Sequence, residues 1–434
     1  MDWTLIVAFL IVTYILAVAY VRKTGRFGDH IGFYGPIMMI RTTKVRIFDV
    51  FVPYSRVLRA YGTFGVVMVV IAAVLMTLLL VLSFRLTLLV QPEPTGIYKP
   101  QNILLLPGIN EYVPSTFAVW FAFFLTLAIH EFGHGVLCRI EHIRVKSAGL
   151  LYAVIPIGAF VEPDEEDAEK VRGLPKARML GAGITNNIVV GVVCFALFIG
   201  AVGMATPLAL PAIYGVYEGG PANAAGVPTQ SVITEVNGID VATRQDVSAL
   251  LNATEPGDQI SLTVEKDGAI SSYPVTLAEW PEEITNVSGP RDSGYMGIYY
   301  YDAGAVQETV GQMFSPIGFL RFVTIPFDMS IGGQQLKVLA FATPATAYFE
   351  EPFPLFWGIV HLLFWSAWIN INVGIFNAIP MVPLDGGYIL KEGVDRVLEP
   401  RGLGRYGQTI VFVVSWLLLS MMIGLIALPY LLHL

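Results

Sequence analysis

Six stretches of this chain contain no Asp, Glu, Lys or Arg, and they restrict its fold more than any other feature: Trp3 to Val21, Thr63 to Phe84, Tyr112 to Ile129, Met179 to Tyr217, Pro352 to Leu384 and Tyr406 to Leu434. A helix needs about 20 apolar residues to cross roughly 30 Å of hydrocarbon, so each stretch reads as a membrane span. The fourth and fifth exceed one span, and Pro207, Pro211, Pro352, Pro354, Pro380 and Pro383 predict non-helical ends there. The first is not read as a signal peptide, because Arg22 and Lys23 follow the apolar run instead of preceding it. Of the 434 residues 55% are hydrophobic and only 14% charged, against about 25% charged in soluble proteins, which excludes an ordinary soluble enzyme. A formal charge of −8 argues against a nucleic-acid partner, whose phosphates need a basic surface. Cys138 and Cys194, far apart in apolar stretches, provide no disulfide framework.

Short cytoplasmic loops accumulate Lys and Arg. Residues 22–59 hold eight, 139–178 seven and 391–405 four, nineteen of the 26 in the chain. Six spans alternating from an extracytoplasmic N-terminus put all nineteen inside, and the third and fifth spans then run inward. The expectation is a multi-pass protein of the cell membrane. Residues 204–352 face outward and carry seventeen Asp and Glu against five Lys and Arg. Their cadence is that of a small β-rich domain: a glycine turn and short helix over 219–226, a strand entering a turn over 232–238, and the alternating Ile260-Ser261-Leu262-Thr263-Val264 before Lys266-Asp267-Gly268. This order resembles a bacterial-type PDZ domain. Gly294-Tyr295-Met296-Gly297-Ile298 is similar to the carboxylate-binding loop of such domains, displaced to the C-terminal end as in permuted versions, and the resemblance implies a domain that either screens substrates by size or binds a newly exposed C-terminal peptide.

The third span contains His130-Glu131-Phe132-Gly133-His134. Histidines four apart lie on one helix face, about 6 Å apart along the axis, so both rings can converge on one zinc ion. Glu131, one residue round, is placed to move a proton without being a ligand. Ionisable side chains are expensive in a bilayer, so three within five residues signal function. Catalytic zinc takes a third protein ligand. Cys138 is about 12 Å along the axis from His130, too far to share an ion, and reads as an apolar filler. His142, between Glu141 and Arg144, suits a solvated loop. At the inner end of the fifth span, however, Asn377-Ala378-Ile379-Pro380-Met381-Val382-Pro383-Leu384-Asp385-Gly386-Gly387 ends an apolar run in a carboxylate braced by prolines and glycines. Asp385 either turns toward the histidines at the same depth or caps the helix that follows.

Together, His130-Glu131-x-x-His134 and Asn377-x-x-Pro-x-x-Pro-Leu-Asp385-Gly resemble the site-2 protease family of intramembrane zinc metalloproteases. The resemblance covers roughly residues 115–205 and 353–395. It implies one catalytic zinc ion held by His130, His134 and Asp385, Glu131 as general base, and Asn377 as a contact to substrate backbone or oxyanion. A polar position in the intervening helix is similar at Asn186, with Asn187 beside it as the alternative. The implied substrates are membrane-anchored proteins cut within the lipid bilayer, in regulated proteolysis that follows an extracytoplasmic cut. Ala148 to Val161, short and interrupted by Gly and Pro, reads as an apolar hairpin that receives the unwound substrate by strand addition.

The expected fold is therefore an α-helical polytopic membrane protein of about six transmembrane helices with an inserted, small, β-rich PDZ-like extracytoplasmic domain. Residues 1–110 would hold two spans, 111–206 the first half of the catalytic core, 207–305 the PDZ-like domain, 306–352 a connector, and 353–434 the second half with the last span. A transporter or a non-catalytic receptor with a peptide-binding module would share the apolar helices. Neither needs a glutamate beside histidines at zinc spacing.

Overall fold

Uncharged apolar runs become helices because, without water, backbone groups must pair within their own segment. The computed structural model describes residues 3–25, 27–28, 30–102, 105–289, 291–341 and 348–433. Two compact units emerge, Met1–Cys194 with Trp365–Leu434, and Phe195–Phe364. In the first, α1 (Trp3–Thr24) leads into β1 (Ile31–Tyr34), β2 (Ile37–Thr42), α2 (Ser55–Val90), α3 (Phe117–Ile140), β3 (Val145–Ala153), β4 (Ile155–Pro163), the short α4 (Glu165–Lys170) and α5 (Leu174–Val202). Thr116 starts α3 by accepting from the Val119 N–H, which satisfies one of the orphan donors at a helix N-terminus.

The strands of this unit form one antiparallel sheet in the order β1-β2-β3-β4. The hairpin expected over 148–161 is present, with Ala148 opposite Val161 and Leu150 opposite Ala159, but it is only half of that sheet. Residues 31–42, counted in a cytoplasmic loop by their charges, supply the other half, with β2 antiparallel to β3. Behind the hairpin, the C-terminal part of α3 packs Val136, Leu137 and Ile140 with Phe48, Ile143, Met179 and Ala182. Cys138 lies in this cluster at 1% exposure, a packing residue.

The second unit holds β5 (Thr206–Pro207), β6 (Ala212–Val216), α6 (Pro221–Ala224), β7 (Ser231–Val236), β8 (Ile239–Asp240), α7 (Arg244–Leu251), β9 (Gln259–Lys266), β10 (Ala269–Thr276), α8 (Glu282–Ser288) and β11 (Ile298–Tyr300). They build an antiparallel sheet ordered β10-β9-β7-β6-β11, with β8 on β7. Its inward residues alternate along the strands, and Ile213, Ile233, Ile260, Leu262, Val264 and Val275 form its core with Val247 of α7. The stretch expected as a connector carries three helices, α9 (Ala303–Gly311), α10 (Pro316–Thr324) and α11 (Ile331–Phe341), before β12 (Phe349–Glu350).

The chain closes with α12 (Phe356–Asn377), α13 (Asp385–Leu398) and α14 (Gly407–Leu431). Among the described residues, five helical stretches are long and apolar enough to cross a membrane: Arg46–Val90, Phe117–Ile140, Leu174–Val202, Phe356–Asn377 and Gly404–Leu431. The remaining expected span is the 22-residue helix α1. The two compact units part within α5 and α12, whereas the expected domain divisions at 206 and 352 lie just outside these helices.

Candidate metal centre

Helical spacing on α3 brings His130 and His134 together edge to face, with ring centroids 4.9 Å apart and planes inclined by 71°. Their Nε2 atoms are separated by 3.3 Å. Asp385, the first residue of α13, brings Oδ2 to 3.0 Å from His130 Nε2 and 3.3 Å from His134 Nε2. The chain must fold back sharply after α12 to do this. A Cβ on Gly386 would lie 2.3 Å from the Ala378 oxygen, and one on Gly387 would lie 2.4 Å from the Met381 carbonyl carbon, so both positions require glycine. The alternative role for Asp385 does not apply, since the N-cap of α13 is Leu384 and no side chain caps it.

Hydrogen bonding fixes which nitrogens carry lone pairs. His134 Nδ1 lies 2.8 Å from the Met179 oxygen. A carbonyl only accepts, so Nδ1 holds the proton and Nε2 is left as an electron-pair donor. His130 Nδ1 lies 3.1 Å from the side-chain amide of Asn187, which is fully buried. The Asn187 Oδ1 has no partner as oriented. Turning that amide so that its oxygen accepts from His130 Nδ1–H satisfies the oxygen and gives His130 the same tautomer as His134.

Two ring nitrogens and a carboxylate oxygen thus offer lone pairs to one point, all within 4.8 Å of one another. Asp385 Oδ2 is buried and makes no aligned hydrogen bond despite its proximity to both rings. A buried anionic oxygen in that position is costly without a cation. Space is kept open beside it: a Cβ on Gly183 of α5 would fall 2.5 Å from His134 Nε2 and 2.6 Å from His130 Nε2. The donor set, two imidazoles and one carboxylate, fits zinc with a coordination position to spare.

Glu131 Oε2 accepts the Val161 N–H of β4 at 2.9 Å. That N–H therefore points away from β3. Because antiparallel residues alternate, the backbone of Ala159 is open on the same side, along the end strand of the sheet.

The other expected site residues are placed differently. Asn186 accepts from the Tyr61 hydroxyl at 2.8 Å and donates to the Ile129 oxygen at 3.0 Å, which engages both ends of its amide; its neighbour Asn187 is the one that meets His130. Asn377 ends α12 half-buried, and its side chain makes no hydrogen bond to another described residue. In the second unit Tyr295 and Met296 are buried, the Gly297 oxygen accepts from Tyr217 N–H, and Ile298 opens β11. His142 is exposed, with Nε2 3.3 Å from an Arg59 nitrogen. Asn187 is the alternative that the sequence leaves open beside Asn186, whereas Gly183 and the Met179 carbonyl are not among the expected site groups. A glycine-rich helix with adjacent asparagines is the only sequence signal they leave.

Residues 118–422 match the model of peptidase family M50. Zinc metalloprotease RasP of Oceanobacillus iheyensis is 24% identical over 51% of this chain, and the chain spans about half of that relative's length, 51%. A putative zinc metalloprotease of Clostridium acetobutylicum is 24% identical over 62% of this chain and 83% of its own length. An uncharacterized protein of Methanocaldococcus jannaschii is 23% identical over 78% of this chain and 75% of its own length. With five membrane-length apolar helices among its described residues, the chain is an integral membrane protein that belongs to peptidase family M50, the site-2 protease family.

Proposed function

We propose that the chain is a zinc metalloendopeptidase that cuts peptide bonds within or near transmembrane segments of membrane-anchored proteins. The observation that carries this reading is the convergence of His130, His134 and Asp385 beside a glutamate that is itself docked on an open strand edge. His130, His134 and Asp385 would hold one zinc ion, whose chemistry when bound is to acidify a water and polarise a carbonyl.

The protein's own groups do the rest. A helical substrate has its carbonyls hydrogen-bonded internally and must unwind before it is cut, and the freed groups need partners in a dry site. The Ala159 backbone on β4 supplies them by strand addition, which lays the scissile bond along Glu131. Glu131 takes a proton from the attacking water as the carbon–oxygen bond forms, then gives it to the amine nitrogen as the carbon–nitrogen bond breaks. Asn377, with its amide uncommitted, donates to the oxyanion. Asn187 and Met179 hold the imidazoles in the required tautomer.

The Lys and Arg distribution supports an extracytoplasmic N-terminus and insert, with the centre towards the cytoplasm. The Phe195–Phe364 unit is read as carrying a PDZ-like domain whose 294–298 loop binds a C-terminal peptide, admitting substrates after a first extracytoplasmic cut. The test is metal analysis together with cleavage of a membrane-anchored reporter. Glu131→Gln should keep one zinc per chain and lose cleavage, and Asp385→Ala should lose both. Cleavage by Glu131→Gln at the wild-type rate would overturn the assignment.

A further inference from the structure

The far side of the site's sheet is built from the N-terminal segment. β2 pairs with β3 from Met38 opposite Tyr152 to Thr42 opposite Ala148, and β1 covers β2 in turn. The pairing depends on Gly149, where a Cβ would stand 2.0 Å from the Ile40 oxygen. The edge of the sheet away from β4 is thereby moved three strand spacings, about 14 Å, from β4.

Helix α1 then fastens the closed ends of both hairpins. The Tyr14 hydroxyl lies 2.6 Å from the Pro36 oxygen in the β1–β2 turn and 2.8 Å from the Tyr152 oxygen near the β3–β4 turn, and it accepts from Met38 N–H at 3.2 Å. Arg22 of the same helix bonds the Gly35 oxygen and lies 4.7 Å over the Phe33 ring. One hydroxyl therefore stands against three backbone groups at the tip of the sheet, its single proton shared between the two carbonyl oxygens and its oxygen accepting from the amide. Tyr14 stands ten residues before the end of α1, about 15 Å along its axis. At that depth in an apolar span, an unpaired carbonyl has no water to turn to.

We propose that Tyr14 is a positioning residue for cleavage: α1 and the β1–β2 hairpin fix the height of β4 against Glu131, and so determine which substrate bond lies over the centre. This rests on the reading of β4 as the strand that pairs with substrate. Tyr14 touches neither the metal donors nor Glu131. Its hydroxyl acts through the ladder from β2 to β3 to β4, and loss of that anchor lets the sheet shift relative to α3.

The full chain, reconstituted with zinc, is tested on a reporter with one transmembrane segment, with cut positions read by mass spectrometry. Tyr14→Phe should keep its zinc, lose about tenfold in kcat/KM as the anchoring hydroxyl is removed, and spread the cut over neighbouring bonds. Gly149→Ala, which pushes β2 off β3, should spread it in the same way. A single wild-type cut position in both variants overturns the proposal, even if the rate falls, because a purely stabilising role changes the active fraction and not the bond chosen. Ala159→Pro separates the two layers. Normal cleavage by that variant removes the β4 reading and this inference with it, whereas an impaired Ala159→Pro beside a Tyr14→Phe that cuts like the wild type removes the inference alone.

Discussion

Each unit of the molecule contains an antiparallel sheet that ends in an open strand, β4 in one and β11 in the other, and the two edges differ in what stands behind them. Flanking β11, Gly297 bonds Tyr217 just past β6 and Tyr301 bonds Ala212 at its start, so Ile298 and Tyr300 face outward by alternation. The Tyr300 oxygen is already taken by the side chain of Gln335 on α11, at 3.0 Å. Arg244 lies over the Tyr300 ring and pairs with Asp302, a charge already matched. On β4, by contrast, the outward Val161 N–H meets the catalytic candidate Glu131, with the metal donors on the same helix. Either edge offers a peptide backbone hydrogen bonds. Only the one backed by a convergent donor set can do chemistry, and among the described residues His130, His134 and Asp385 form the sole such group.

The contrast can be broken at several points. The largest effect is expected from Gly183→Ala, whose methyl group would enter the space between the two imidazoles. Metal analysis should find no zinc, and reporter cleavage should fall to the Glu131→Gln background; a metal-loaded, active Gly183→Ala would show that the cradle is not needed. Next is Ala159→Pro, which deletes an outward N–H of β4 and leaves the ladder to β3 intact. It should retain zinc and lose about tenfold in cleavage, as one backbone bond to the unwound substrate goes unmade. The matching change on the other edge, Ile298→Pro, should weaken capture of a C-terminal peptide about tenfold, by the same arithmetic for one bond. Cleavage of a bare transmembrane reporter should not change, and a loss there would end the division of labour between the edges. The smallest effect is expected from Thr243→Ala, which removes the capping box with Asp246 at the start of α7. It should cost the second unit about 1 kcal/mol, read as faster hydrogen exchange in α7 with β4 unaffected.

The centre was legible where chemistry leaves a periodic mark. Histidines at helical spacing can share a ligand only on one face, and a carboxylate between prolines and glycines at the end of an apolar run has few uses in lipid. Topology then needed only to bring α3 and the start of α13 to one depth. What stayed hidden depended on rotation and pairing. Asn186 and Asn187 are adjacent on α5 and point about 100° apart, and packing against Tyr61 and Ile129 decides which one reaches the histidine. The β3–β4 hairpin was readable from its short, Gly- and Pro-interrupted apolar run. Its partners β1 and β2 were not, because Arg22, Lys23 and Arg41 mark their surroundings as a charged loop while Gly35-Pro36 marks only a turn. Pairing across more than a hundred residues of sequence has no local signature.

Asp385 is encoded far downstream of the histidines it joins, with the whole Phe195–Phe364 unit between them. A ribosome must therefore translate that entire insert before the third donor leaves the exit tunnel. Nascent chains that carry both histidines but have not yet reached Asp385 therefore lack the third donor of the centre.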